Sequence, residues 1–292
     1  MLDLPPLSVA IKPNVTFQKP YFQMNFPASR LQRILAEAPV QFRMGDYISR
    51  GFQVMNDNFG MLIGFVLVSA VINFLCQSLP YVGLVLSMAI SPVLSIGYSQ
   101  FAYMVSRGHK PDFGEFFKGF SKIGPLVLTY LLVMVVSLIA ILPGLIFWYQ
   151  AGMAEWLIEL MAAYPFFEDI PSMGDMVDMS LFGIGLAVIL LGGLIIGLFL
   201  AWALQIAWFF EVGPMEALDA SRKLIARNWT SMLGFLIFSG LIAISGVLLC
   251  GVGVLYTAPA VACAHFFAFA DSTHILDDED DNKPDLIDHF IA

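Results

Sequence analysis

Residues 232–270 read MLGFLIFSGLIAISGVLLCGVGVLYTAPAVACAHFFAFA, thirty-nine positions without one Asp, Glu, Lys or Arg. A helix rises about 1.5 Å per residue and a bilayer's hydrocarbon core is about 30 Å thick, so about 20 residues suffice to cross it. The stretch is too long for one crossing, and Gly251 and Gly253 interrupt it. It reads as two antiparallel spans, 232–250 and 252–270. Working outward, comparable runs lie at 60–78 and 81–105, split by Ser78-Leu79-Pro80, and at 124–148 and 180–210. The expectation is an all-α polytopic membrane protein with six transmembrane helices.

Composition agrees. The 292 residues are 59% hydrophobic and 13% charged, against roughly 45–50% and 25% in a soluble domain. A disordered chain, a nucleic-acid binder and an ordinary soluble enzyme are excluded. The first run long enough to insert begins near residue 60, so a transmembrane helix is expected to do the targeting.

The Lys and Arg side chains set the orientation. All fourteen fall in the segment before residue 60 (Lys12, Lys19, Arg30, Arg33, Arg43, Arg50), in the loop 106–123 (Arg107, Lys110, Lys118, Lys122), in the loop 211–231 (Arg222, Lys223, Arg227) or in the tail (Lys283). The loop 149–179 has none, and carries Glu155, Glu159, Glu168, Asp169, Asp175 and Asp178. Six crossings put every cation on one side, which predicts both termini in the cytoplasm. The chain divides into a Pro-rich, mostly extended segment 1–45 with room for a short helix at 29–38, a membrane domain 46–270, and an acidic tail 271–292.

A repeat underlies the spans. Each cytoplasmic segment before a hairpin reads as a short amphipathic helix: DYISRGFQVMNDN at 46–58, DFGEFFKGFSK at 112–122 and MEALDASRKLIARNW at 215–229. Helices of this kind are expected to lie at the membrane interface with their apolar faces in lipid. Asn58, Gly64, Phe65 and Ser69 precede Asn228, Gly234, Phe235 and Ser239 by 170 positions, and Pro92 parallels Pro259. The architecture is three parallel units, each an interfacial helix plus a hairpin.

The spans hold no Asp, Glu, Lys or Arg between their ends, which argues against an ion-coupled transporter. Their polar residues are mild: Asn73, Gln77, Gln100, Gln205 and His265. Ser87, Ser91, Ser95 and Ser99 recur every four residues in the second span; Gly193, Gly197 and Ala201 do so in the fourth, with Gln205 one turn on. Such stripes serve close helix packing, or line a conduit. Pro143-Gly144 is the expected helix break of the third span.

No HExxH, GxSxG, P-loop or GxGxxG motif is present, and no catalytic residue, metal ligand or cofactor is expected. Cys76, Cys250 and Cys263 sit in apolar runs and read as small packing hydrophobes. Residues 152–163, with Trp156, Leu157 and Leu160, suit the outer membrane–water boundary. Beyond the acidic run Asp277-Asp278-Glu279-Asp280-Asp281, Leu286, Ile287, Phe290 and Ile291 recur at helical spacing, a candidate docking motif for a cytoplasmic partner.

The stretches RGHKPDFGEFFKGFSKIGPL at 107–126, ILPG at 141–144 and GPMEALDASRKLIARNW at 213–229 resemble a broad bacterial group. It includes the YciC-like membrane proteins and the membrane domain fused to some glycerophosphodiester phosphodiesterases. The resemblance covers residues 42–270 and implies a six-helix inner-membrane fold without catalytic residues. The long acidic loop, the Pro-rich start and the acidic tail depart from that pattern. The expected function is non-enzymatic: a scaffold, assembly or envelope-homeostasis component binding lipid or protein through its amphipathic helices and tail. The alternative is a channel or transporter for a neutral or lipid-like substrate.

Overall fold

A run that is apolar all round winds into a helix that hydrocarbon tolerates on every side, whereas a short mixed run has one face to hide. Both kinds alternate along this chain. The computed structural model describes residues 25–38, 40–79, 81–163, 171–248 and 251–277. Short helices α1 (Ala28–Ala36) and α2 (Met44–Asp57) lead into the hairpin α3 (Phe59–Gln77) and α4 (Val82–Ser106). A 3₁₀ helix, η1 (Phe113–Lys122), leads into α5 (Ile123–Gln150). After it come α6 (Met153–Ala163), α7 (Met173–Met176), α8 (Met179–Phe199) and α9 (Ala203–Phe209). Finally α10 (Pro214–Arg227) leads into α11 (Trp229–Leu248) and α12 (Val254–Ser272). Among the described residues six helical stretches are long and apolar enough to cross a membrane. The all-α, six-span fold built as three interfacial-plus-hairpin units stands.

The three units share their joints. Asn58, Lys122 and Asn228 each end an amphipathic segment and begin a span, with φ/ψ of −128°/31°, −123°/36° and −131°/35°. One residue outside the helical region turns the chain from the membrane surface into the bilayer.

The apolar faces of the amphipathic segments, expected in lipid, are for the most part covered, with Phe113 and Phe120 of η1 left exposed. The covered residues pack on protein, and on the hairpin of another unit. α2 lies along α12, η1 along α4, and α10 along α5, α8 and α9. First unit on third, second on first, third on second: the contacts close a cycle, a head-to-tail arrangement that leaves no free end. In η1 the 3₁₀ winding eclipses residues three apart, which lines up Phe113, Phe116 and Gly119. Phe116 is stacked between Phe65 and Phe101, with centroids 4.2 and 4.5 Å away.

A small residue sits at each contact. A Cβ on Gly51 would lie 2.5 Å from the Ala260 carbonyl oxygen, and one on Gly119 would lie 2.9 Å from Val93 Cγ1. Ala260 and Val93 each directly follow the prolines that parallel one another, Pro259 and Pro92. The third contact uses Ser221, 170 positions after Gly51.

The expected break at Pro143-Gly144 is displaced. α5 and α4 wind straight through Pro143 and Pro92, and α12 through Pro259. A proline removes one ladder hydrogen bond without stopping a helix whose neighbours hold it. The fourth span, expected whole over 180–210, is interrupted instead at Leu200–Trp202. Ser221 enters that gap, its hydroxyl accepting from the Trp202 N–H at 3.2 Å and donating to the Phe199 carbonyl at 2.9 Å.

The packed body also exceeds the boundaries drawn at 45 and 271. Phe26 exchanges backbone hydrogen bonds with Phe209 and Glu211, α1 packs on α10, and Thr273 and Ile275 are buried. The largest buried side chains, among them Tyr47, Phe65, Phe101, Phe116, Phe209, Phe235 and Phe266, gather toward this basic end. Toward the acidic end burial occurs within hairpins: Gly83 on Cys76, Gly144 on Gly185, Gly246 on Thr257. The hairpins join one another at the basic end and present Leu84, Val85, Leu190, Leu241 and Ile244 to lipid at the other.

Gly51→Val and Gly119→Val should each destabilise the protein by about 1–3 kcal/mol through overpacking, read as lower thermal midpoints in detergent. Gly193→Ala, where nothing lies within 4 Å, should leave the midpoint unchanged or raised.

Candidate functional site

Buried polar groups must find partners, so the polar residues of the spans mark where the interior is organised. Gln100 and Gln205 meet between α4 and α9, beside the interruption of the fourth span. Trp208 Nε1 donates to Gln100 Oε1 at 3.1 Å, and Gln205 Nε2 donates to Ser99 Oγ at 3.0 Å. Gln100 Nε2 reaches Glu115 Oε2 at 3.4 Å, and Lys118 Nζ pairs with the same oxygen at 2.6 Å. A polar string thus runs from the surface of η1 into the bundle. Gln205 Oε1 and Trp202 Nε1, both buried, have no hydrogen-bond partner among the described residues.

On the axis where α4, α9 and α12 converge, aromatic rings fill the space. Tyr103–Phe209 centroids are 5.3 Å apart, Phe209–Phe266 5.8 Å, Phe209–Phe269 5.8 Å and Trp202–Phe269 6.0 Å. Such offset and tilted pairs add to their area burial. The basic end of the bundle is plugged.

Above the plug, arginines from separate segments hold chain ends. Arg30 Nη2 donates to the His274 carbonyl at 2.7 Å and Arg107 Nη2 to the Ile275 carbonyl at 2.8 Å, just past the C-terminus of α12. Cations there meet the partial negative charge of the helix end. Arg227 closes α1 in the same manner, donating to the carbonyls of Ile34, Leu35 and Glu37. Asn228 Nδ2 adds a bond to the Val40 carbonyl. Tyr47, buried on α2, donates to Asp271 Oδ2 at 2.6 Å, and Arg43 lies 3.6 Å from the other oxygen. Other charges pair along the helices: Arg50 with Asp46, and Arg222 and Lys223 with Asp219. The Lys223 and Arg222 contacts hold the Asp219 carboxyl below the usual carboxylate range.

Two cavities bear on the conduit reading. Between α1, α10 and α12, Ile34, Trp202, Arg227, Asn228, Met232 and His274 line a space of about 20 Å³, room for a single water. On one face of α5, Tyr130, Leu131, Met134, Ser137, Leu138 and Ile141 line an apolar groove of about 600 Å³. Neither is a passage across the bundle.

The residues singled out from sequence disperse. Ser87 and Ser91 are half-buried, Ser95 is exposed, and Ser99 alone is buried. The hydroxyls of Ser87 and Ser95 donate to the Leu84 and Pro92 carbonyls of their own helix, so the stripe lines nothing. Gly193 and Gly197 face open space, and Ala201 falls in the interruption of the fourth span. The close packing of α8 on α5 uses Gly185 and Gly192 instead. A Cβ on Gly185 would meet the Gly144 carbonyl oxygen at 2.9 Å, and one on Gly192 the Ala140 carbonyl oxygen at 2.8 Å. Gly144, read as part of a break with Pro143, is thus a packing glycine in a continuous helix. Of both stripes, Ser99 and Gln205 come together. Leu286, Ile287, Phe290 and Ile291 lie outside the described residues, as do Cys250, Glu168 and Asp169. Cys76 and Cys263 are buried thiols.

Sequence reasoning missed Gly51, Gly119 and Ser221, and the clamps Arg30, Arg107 and Arg227. Carrying the 170-residue register back from Asn228 to Ser221 pairs it with Gly51; Gly119 lies outside that register. No family model, curated protein or solved structure matches the chain. Among the described residues no three His, Cys, Asp or Glu side chains converge as metal ligands would.

Burial, opposed by the Arg43 backbone and reinforced by the Asp271 carboxylate, pushes the Tyr47 phenol from 10.0 up to about 12. A folded-state value above the unfolded one means the hydroxyl's contribution is complete below pH 10 and lost as pH rises toward 12. Tyr47→Phe should cost about 1.5–3 kcal/mol at neutral pH, as for a hydrogen bond to a charged group. In alkaline thermal melts the variant should converge on the unsubstituted protein.

Proposed function

We propose that this chain is a non-enzymatic scaffold or assembly component of a bacterial inner membrane, with both termini in the cytoplasm. One observation carries the reading: the three amphipathic segments pack most of their apolar residues on one another's hairpins, which leaves a braced platform whose outer faces on α2 and α10 are largely polar. α2 offers Asp46, Ser49, Gln53 and Asn56, and α10 offers Glu216, Arg222 and Lys223. A surface of paired charges, held by hairpins that join at this end, suits recognition of a protein partner or of lipid headgroups. The aromatic plug and the absence of acidic or basic groups inside the spans favour a binding role over solute transfer. The resemblance of 42–270 to the YciC-like group supports the inner-membrane assignment.

A second reading has its own support. Gln205 Oε1 has no partner among the described residues and stands beside an interrupted span; transporters use interrupted spans to hold substrates. The two readings separate in proteoliposomes. Purified protein should pass small neutral solutes no faster than empty vesicles; flux abolished by Ser99→Trp would establish the second reading and discard the first. Orientation is tested in right-side-out vesicles, where a cysteine at Glu159 should react with an impermeant maleimide and one at Lys110 should not. Ending the chain at Asp277 should release a co-purifying protein if the tail supplies the docking motif.

A further inference from the structure

The acidic-end segment between α5 and α8 carries a helix with one apolar face left uncovered by the described residues. α6 starts three residues after α5 ends, and Gly152, at φ +86°, makes the turn between them. No α6 residue is buried. Nine of its eleven residues define three faces at about 100° per residue. Trp156, Leu160 and Ala163 are partly covered, and Trp156 Nε1 donates to the Pro171 carbonyl at 3.0 Å. Glu155 and Glu159 form a second face, open to solvent. Ala154, Leu157, Ile158 and Met161 form the third at i, i+3, i+4, i+7 spacing, with Leu157, Ile158 and Met161 exposed by 43%, 68% and 75%.

We infer that α6 is an interfacial helix bedded in the leaflet on the acidic side, its Leu157–Ile158–Met161 face between the lipid headgroups and its glutamates in water. The occupant follows from position. The stripe begins within two turns of the end of α5, whose Ile146 and Tyr149 are themselves exposed at 50% and 68%, so uncovered apolar residues stand on both sides of the α5–α6 turn. The helix cannot drift from that level, because the Asp178 N–H donates to the Ala151 carbonyl at 2.9 Å and pins the two ends of the segment together. A helix with exposed aliphatic residues on one side and carboxylates on another is stable at a boundary between hydrocarbon and water. The segment 149–179 contains no Lys or Arg, so the attachment is apolar and fits a zwitterionic leaflet. The inference is independent of the scaffold reading.

The test is spin labelling in phosphatidylcholine vesicles, with the three native cysteines replaced and Ile158→Cys or Glu159→Cys introduced. A nitroxide at 158 should collide with oxygen several-fold more than with a water-soluble nickel complex. One at 159 should show the reverse, and salt should alter neither ratio. Equal access of the nickel complex to both positions would overturn the inference. Shielding of 158 from both reagents would overturn it too, since that is the signature of a protein covering the stripe. Circular dichroism of each labelled variant, compared with that of the unsubstituted protein, keeps a misfolded variant from counting as either result.

Discussion

Three close approaches govern this fold. In lipid no hydrophobic force draws helices together, so association rests on how nearly backbones can come. Gly51, Gly119 and Ser221 each let an amphipathic segment sit directly on the second span of another unit. Everything at the basic end depends on those seats: the burial of Tyr47, Phe116 and Leu224, the aromatic plug, and the reach of Arg30 and Arg107 to the exit of α12. A larger residue at any seat lifts a helix and unmakes its side of the cycle.

The same contacts explain where the interruption of the fourth span falls. Proline marks candidate breaks in sequence, yet three prolines here sit inside unbroken helices. Leu200-Ala201-Trp202 contains neither proline nor glycine, and what opens the helix there is a hydroxyl supplied by α10. The cause lies nineteen residues beyond Trp202, at Ser221, so no local reading detects it.

Much else was legible. Hydropathy located the spans to within a few residues because hydrocarbon imposes a length and forbids charge. The repeat was visible through Asn58 and Asn228, since each unit needs the same turn at the same joint. The stripes were misread for a definite reason: four-residue spacing records that small residues share a face, but not whether another helix occupies it. On α8 the occupied face is that of Gly185 and Gly192; Gly193 and Gly197 look into lipid. The amphipathic faces were misassigned similarly, because a helix that packs on a neighbour and one that floats on a membrane carry the same pattern.

The cyclic order has a consequence for biogenesis. η1 and α10 dock on hairpins that a ribosome has already delivered, but α2 docks on α12, the last span to be made. From early in synthesis until the final hairpin inserts, Tyr47, Val54 and Met55 have no protein surface to cover them. A nascent or truncated chain lacking α12 therefore displays an apolar helix at the membrane surface, which is the kind of mark that insertases and membrane proteases read. Completion of the chain erases it.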